Sequence, residues 1–225
     1  MTTDEVLSRL VLDLKPVAPL PTSGVRTSRW VVGASAVAGL AVALLGRRVD
    51  LVSAAGTLAF QAHSTLVAVA TVTSAGAALV LAVPGEQLAP WRLWAPIAAV
   101  AAWAVWLSAE LGLAAAASST AWTVDAGWGC VAKSIAVGLV PATALLVMIR
   151  RGAILDPGRA LTLAALASAG IGALGVEFMC PKTEPMHHMV WHLEPVIALP
   201  AAICLASASR CAKWLRRRDA HAWRP

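Results

Sequence analysis

Several stretches of about 20 residues in this chain carry almost no charge. They include "WVVGASAVAGLAVALLG" from Trp30 and the Ala/Leu/Val-rich runs beginning near Leu58, Leu93, Trp128, Ala160 and Pro185. About 20 consecutive apolar residues is the length an α-helix needs to cross the hydrocarbon of a bilayer. The runs do not alternate polar and apolar residues as lipid-facing barrel strands do. They also lack the polar faces at helical spacing that a soluble Ala-rich helix would carry. Composition agrees, with 59% of the 225 residues hydrophobic and 13% charged, where an ordinary soluble domain has roughly 25% charged. The expected fold class is all-α: an integral membrane bundle of six transmembrane helices. The spans are expected at about Trp30–Gly46, Leu58–Val83, Leu93–Ala114, Trp128–Met148, Ala160–Met179 and Pro185–Ser207. Gly/Ala/Ser-rich segments such as "SAGAAL" suit close helix packing in lipid. No internal repeat is evident.

Cationic residues set the expected orientation. Of the 18 Lys and Arg, all but Arg47, Arg48, Lys133 and Lys182 fall on one side if the N-terminus is cytoplasmic. The positive-inside rule then places both termini in the cytoplasm. "RCAKWLRRR" reads as a basic tail against anionic headgroups rather than a nucleic-acid site. Trp91, Trp94, Trp122, Trp128 and Trp214 fall near span ends, as interfacial aromatics do. The first 28 residues have no apolar core or cleavage site and carry Asp4, Glu5 and Asp13, so they are expected to stay as a cytoplasmic segment rather than act as a signal peptide.

Within that segment Thr2 and Glu5 have the spacing of a capping box. Val6, Leu7, Leu10, Val11 and Leu14 follow as one apolar stripe, and Pro16, Pro19 and Pro21 end the helix. Such a short helix is marginal alone in water. Its mildly acidic polar face favours a protein partner over the basic-loving membrane surface.

The stretch "MCPKTEPMHHMVWHLEP" concentrates Cys180, His187, His188 and His192. On the expected topology Cys130, Cys180, Glu177, Glu110, Asp125 and the three histidines lie toward the same outer side. Two readings of the cysteines stand open: a reversible disulfide, which an oxidising periplasm permits, or ligation of a soft or borderline ion such as zinc or cadmium with imidazole help. His188 and His192, at i and i+4, share a helix face. The candidate metal residues are His187, His188, His192 and Glu177. The bland reading is that rim histidines only satisfy interfacial hydrogen bonds. Cys204 and Cys211 read as packing residues at the inner end. His63, polar within a span, is expected to face the interior, bonded to Glu110 or to a backbone carbonyl. Pro195 and Pro200 interrupt the sixth span and make it a candidate for coupling the outer cluster to the N-terminal segment.

Three features together, "DEVLSRLVLDLKPVAPLP" before the first span, "WGC" at the head of the fourth and "C…HHMVWHLEPV" leading into the sixth, resemble the NrsF-like family of six-span integral membrane anti-sigma factors of bacteria. The resemblance implies a multi-pass protein of the bacterial inner membrane that is not an enzyme. Residues 1–28 would be a cytoplasmic segment and linker that sequester an extracytoplasmic-function (ECF) sigma factor, residues 29–209 the transmembrane domain, and residues 210–225 a basic cytoplasmic tail. The sigma-binding positions would be Asp4, Val6, Leu7, Leu10, Val11, Leu14 and Pro16. Cys130 and Cys180 would sense heavy-metal or oxidative stress and release the factor to switch on a stress response. No cofactor is required on this reading beyond a transient heavy-metal or zinc ion. The expected partners are the sigma factor and membrane lipids, with no direct nucleic-acid contact; a homodimer is left open. The alternatives are a membrane oxidoreductase or quinone/haem protein built on the same Cys/His cluster, which would show a visible chromophore, and a small metal transporter, which would need ligands near the bilayer midplane.

Overall fold

In the computed structural model, residues 2–5, 7, 20–86, 89–118 and 122–222 are described, with side chains in the last helix as far as residue 208. Among these residues there is no strand, and six helices are long and apolar enough to cross a membrane. The elements are α1 (Ser23–Leu45), a short α2 (Leu51–Ala55), α3 (Leu58–Leu81), α4 (Pro90–Ala117), α5 (Trp128–Arg150) and α6 (Pro157–Glu177). The sixth span runs through α7 (Pro185–His188), a π-helical turn (Met189–Leu193) and α8 (Glu194–Ala222).

Local chemistry sets most of these boundaries. The Thr22, Thr57 and Asp156 side chains accept from Val25, Phe60 and Arg159 backbone N–H groups and so cap α1, α3 and α6. Gly46, at φ +95°, takes the left-handed conformation that ends α1. Proline opens α4, α6 and α7 at the position where a missing N–H costs nothing.

Two helices form the interior. In their apolar windows 67% of α6 and 50% of α3 is buried, against 17–22% for the other spans, many of whose large apolar side chains, such as Leu44, Val105, Ile135 and Leu205, face outward where lipid belongs. The sequence explains why α6 is central: "ALASAGIGALG" presents small residues all round, so several neighbours can approach its backbone. A Cβ on Gly172 would strike the Ser134 carbonyl oxygen of α5, and one on Gly170 would strike the Thr71 hydroxyl of α3. Helix α6 packs against α3, α5, α8 and, more lightly, α1, while α4 packs on α3.

Helix α1 is fastened to α5 at the end of the bundle where the chain enters. The Arg26 guanidinium donates to the Met148 carbonyl, and Trp30 Nε1 donates to the Pro141 carbonyl at 2.9 Å. The Ser23 hydroxyl reaches Glu86 at 2.5 Å.

Three points differ from expectation. The first span starts at Ser23 rather than near Trp30, because Thr22 caps it and Arg26 finds an acceptor inside the bundle. The sixth span, expected at about Pro185–Ser207, is found at Pro185–Ala208, and its helix continues to Ala222. Helix α2 was not anticipated. Cys204, expected to pack internally, is exposed; the side chain of Cys211 lies outside the described residues. In the N-terminal segment the Thr2 N–H donates to Glu5 and the Glu5 N–H to Thr2 Oγ1, which is the capping box, and residues 3–5 and 7 are helical. Asp4 and Leu7 are exposed there. Val6, Leu10, Val11, Leu14 and Pro16 lie outside the described residues.

Candidate functional site

One end of the bundle gathers the ends of α1, α4 and α6 and the starts of α3, α5 and α7. The thiols come from consecutive spans. Cys130 is in the first turn of α5. Cys180 closes the turn after α6, its N–H bonded to the Val176 carbonyl at 2.7 Å, and Pro181 then carries the chain out of the helix. Their sulfurs stand 3.5 Å apart as free thiols. His187 Nε2 lies 3.5 Å from each sulfur. Adding His192 completes a set whose ligand atoms all lie within 4.8 Å of one another.

These spacings have a chemical meaning. A disulfide needs sulfurs at about 2.05 Å, so oxidation requires the two sulfurs to approach by about 1.5 Å. A tetrahedral ion with Zn–S near 2.3 Å and Zn–N near 2.0–2.1 Å puts two sulfurs about 3.8 Å apart and sulfur and nitrogen about 3.6 Å apart. The thiol and imidazole spacings are close to those edges without rearrangement. The Cys130 thiol donates to Cys180, which favours the Cys180 thiolate and outweighs its burial, so the Cys180 pKa is lowered.

Behind the thiols is a second group. Glu177, the last residue of α6, faces three imidazoles: Oε1 is 3.7 Å from His63 Nδ1, and Oε2 is 3.4 Å from His192 Nδ1 and 3.9 Å from His188 Nε2. His63 Nε2 is 2.9 Å from Glu110 Oε2, and Trp106 Nε1 donates to Glu110 Oε1 at 2.8 Å. His63, Glu177, Cys180, His187, His188 and His192 are each no more than 5% exposed. Neither ring nitrogen of His188 or His192 makes a hydrogen bond, nor does His187 Nδ1. Buried imidazoles left this way are costly unless something ligates them.

The surroundings are also built. The Arg48 guanidinium, buried at the rim, pairs twice with Asp50 at 2.8 and 2.9 Å, which raises its pKa, and the Arg48 backbone N–H donates to the Phe178 carbonyl at 3.0 Å. On the other flank Trp191 stacks edge-on against Trp128 and donates to the Asp125 carbonyl at 2.8 Å. Gly127 lies against the Trp191 ring so closely that a Cβ there would overlap it.

Cys130, Cys180, Glu177, His187, His188 and His192, singled out from the sequence, thus meet in one place. His187 rather than His188 sits against the thiols; His188 turns toward His63 and Glu177. Asp125 does not join them: it is exposed and bonded to Lys182 at 2.5 Å, which lowers the Asp125 pKa and raises that of Lys182. Glu110, expected on the same outer side, is bonded to His63 rather than His63 to a backbone carbonyl, and through His63 the geometry joins both to the cluster. The one sequence signal for this was that both are ionisable groups within apolar spans.

Fold and site together define a polytopic helical membrane protein with a dithiol held among buried imidazoles at one end of its bundle. Thiols and imidazoles are the donor types that metal ligation uses, and paired thiols are what disulfide redox uses. Residues 10–214 match the family model described as "NrsF: Negative regulator of sigma F", and the chain belongs to that family. The family is one of regulators, negative regulators of a sigma factor, rather than of enzymes. No curated protein and no solved structure matches the chain.

Proposed function

We propose that the protein is a membrane-bound anti-sigma factor of the bacterial inner membrane, with both termini cytoplasmic. Its N-terminal segment, from Asp4 through the linker prolines, sequesters an ECF sigma factor. Its cysteine cluster faces the periplasm and releases that factor under heavy-metal or oxidative stress. The observation that carries the sensing half is the Cys130–Cys180 pair, two free thiols 3.5 Å apart on different spans with His187 touching both. The family match carries the regulatory half.

Either inducer can act on the same pair. An oxidant takes two electrons, the S–S bond forms and two protons leave. A soft divalent ion displaces the thiol protons and is held by two thiolates and imidazole nitrogen. Both outcomes fix the head of α5 to the foot of α6. The far part of α5 holds Trp30 and Arg26 of α1, a few residues from the N-terminal segment. Helix α5 is therefore a direct mechanical route from sensor to root, alongside the proline-interrupted sixth span.

The test is a sigma-dependent reporter in cells producing the full chain, Cys130→Ser or Cys180→Ser. Each variant should abolish induction by cadmium or oxidant while sequestration of the sigma factor persists. Unchanged induction in both variants removes the sensing claim. Failure of the full chain to co-purify with an identified ECF sigma factor removes the anti-sigma claim.

A further inference from the structure

We propose a second metal site, chemically distinct from the thiol pair, in which Glu177, His63 Nδ1 and His188 Nε2 hold a borderline divalent cation of the zinc class as a resident ion. This inference does not rest on the anti-sigma reading.

The donor atoms already converge. One ligand atom from each of His63, Glu177 and His188 lies within 4.8 Å of the other two, and all three residues are buried. A tetrahedral ion with nitrogen and oxygen ligands near 2.0–2.1 Å would set them about 3.3–3.4 Å apart. The Glu177 carboxylate meets the two imidazoles through different oxygens, Oε1 at 3.7 Å from His63 Nδ1 and Oε2 at 3.9 Å from His188 Nε2, so an ion would draw the three side chains closer together.

Two further features separate this group from an accidental cluster. His188 is 4% exposed and neither of its ring nitrogens has a hydrogen-bond partner. His63 is oriented as metal-bound histidines are: Nε2 is engaged by the Glu110 carboxylate, which Trp106 holds in turn, leaving Nδ1 for Glu177 and the ion. A carboxylate behind the ligating imidazole fixes its tautomer and strengthens it as a donor. A cavity of about 440 Å³ between Asp50, Thr57 and Pro185 opens onto His63, Glu177 and His188 and provides a path for the ion.

The donor set defines the ligand class. Two imidazoles and one carboxylate, with no thiolate, suit zinc-class ions and leave the soft ions to Cys130 and Cys180. Three protein ligands also leave one coordination position open. Because Glu177 Oε2 also approaches His192, which belongs to the thiol set, an ion here orients a group of the neighbouring site.

Cobalt(II) distinguishes the two sites, since only thiolate ligation adds a sulfur-to-metal charge-transfer absorption to its ligand-field bands. Full-length Cys130→Ser/Cys180→Ser protein in detergent should bind one cobalt per chain with ligand-field bands alone, and zinc should displace it. His63→Gln in the otherwise native chain should lose that ion while keeping the thiolate absorption of the other site. Glu110→Gln, which removes no ligand, should weaken binding about 10–100-fold. The proposal is overturned if the double serine variant, shown folded by its helical circular dichroism, binds no cobalt. It is equally overturned if His63→Gln leaves the native chain's cobalt stoichiometry and spectrum unchanged, a result that would leave the sigma-factor reading untouched.

Discussion

The two ends of this bundle use buried polar groups in opposite ways. At the end where the chain enters, Arg26 through Nη2, Trp30 and Ser23 reach across to acceptors elsewhere in the bundle and hold it together, with Arg26 Nη1 alone among them left without a hydrogen bond. At the other end, four histidines, a glutamate and a thiol are buried with most of their imidazole nitrogens making no hydrogen bond. The first arrangement is a fastening. The second leaves donor and acceptor groups unpaired in an apolar interior, which is costly unless a ligand takes them up. The difference teaches where to look for function in an otherwise uniform apolar fold: at the groups that have been buried and not satisfied.

Three substitutions would break or sharpen that contrast. The largest effect is expected from Glu177→Ala, which strips His63, His188 and His192 of their shared carboxylate. Removing one partner from a buried charged group costs about 3 kcal/mol or more, so the thermal midpoint of the purified protein should fall by several degrees. A midpoint within a degree of wild type would mean that the cluster end is no more strained than the other. Trp30→Phe is next. It keeps the ring in place but loses the bond to the Pro141 carbonyl, about 1 kcal/mol. Metal titrations should be unaltered while sigma release loses its dependence on Cys130, measured with the same reporter. The smallest effect is expected from Lys182→Ala. Its thermal midpoint should be unchanged, but Cys130 should react a few-fold faster with a maleimide, since Lys182 ties down the Asp125 loop beside it. That tie holds while Asp125 is ionised and Lys182 charged. It is lost as pH falls through the lowered Asp125 pKa or rises through the raised Lys182 pKa. Labelling of wild-type protein should therefore approach that of the variant at either extreme.

Much of the architecture is legible in the residues because a bilayer imposes its length on every span. The six apolar runs correspond to the six spanning helices, and Pro185 and Trp128 begin their helices where expected. The ends are less legible. Helix α1 begins seven residues before Trp30 because a threonine cap and a buried arginine extend it, and neither feature registers as hydropathy. The cluster was half visible. Cys180 and the three histidines of α7 and the π turn are close in sequence, and an even span count brings Cys130 to them. His63 and Glu110 come from α3 and α4, and only the packing of those helices about α6 tells which span faces which. The split between His187 and His188 was not legible either, since residues one apart on a regular helix point about 100° apart and the helix there is not regular.

That irregularity has a consequence for how this family can change. The Glu194 N–H bonds back to the Met189 carbonyl, five residues away, just ahead of Pro195, which has no N–H to offer. The turn therefore holds one residue more than an α-helix would use. Deleting a single codon anywhere in Met189–Leu193 would let the helix close regularly, with every apolar run still long enough to span. Yet everything before the deletion would swing by about 100° relative to α8, carrying His187 and His188 off the cluster together. A chain with that one-residue gap would still look like a six-span member by length and hydropathy while having lost His187 and His188 from the cluster, so counting residues across this turn is a quick way to sort chains that keep the cluster from those that keep only the scaffold.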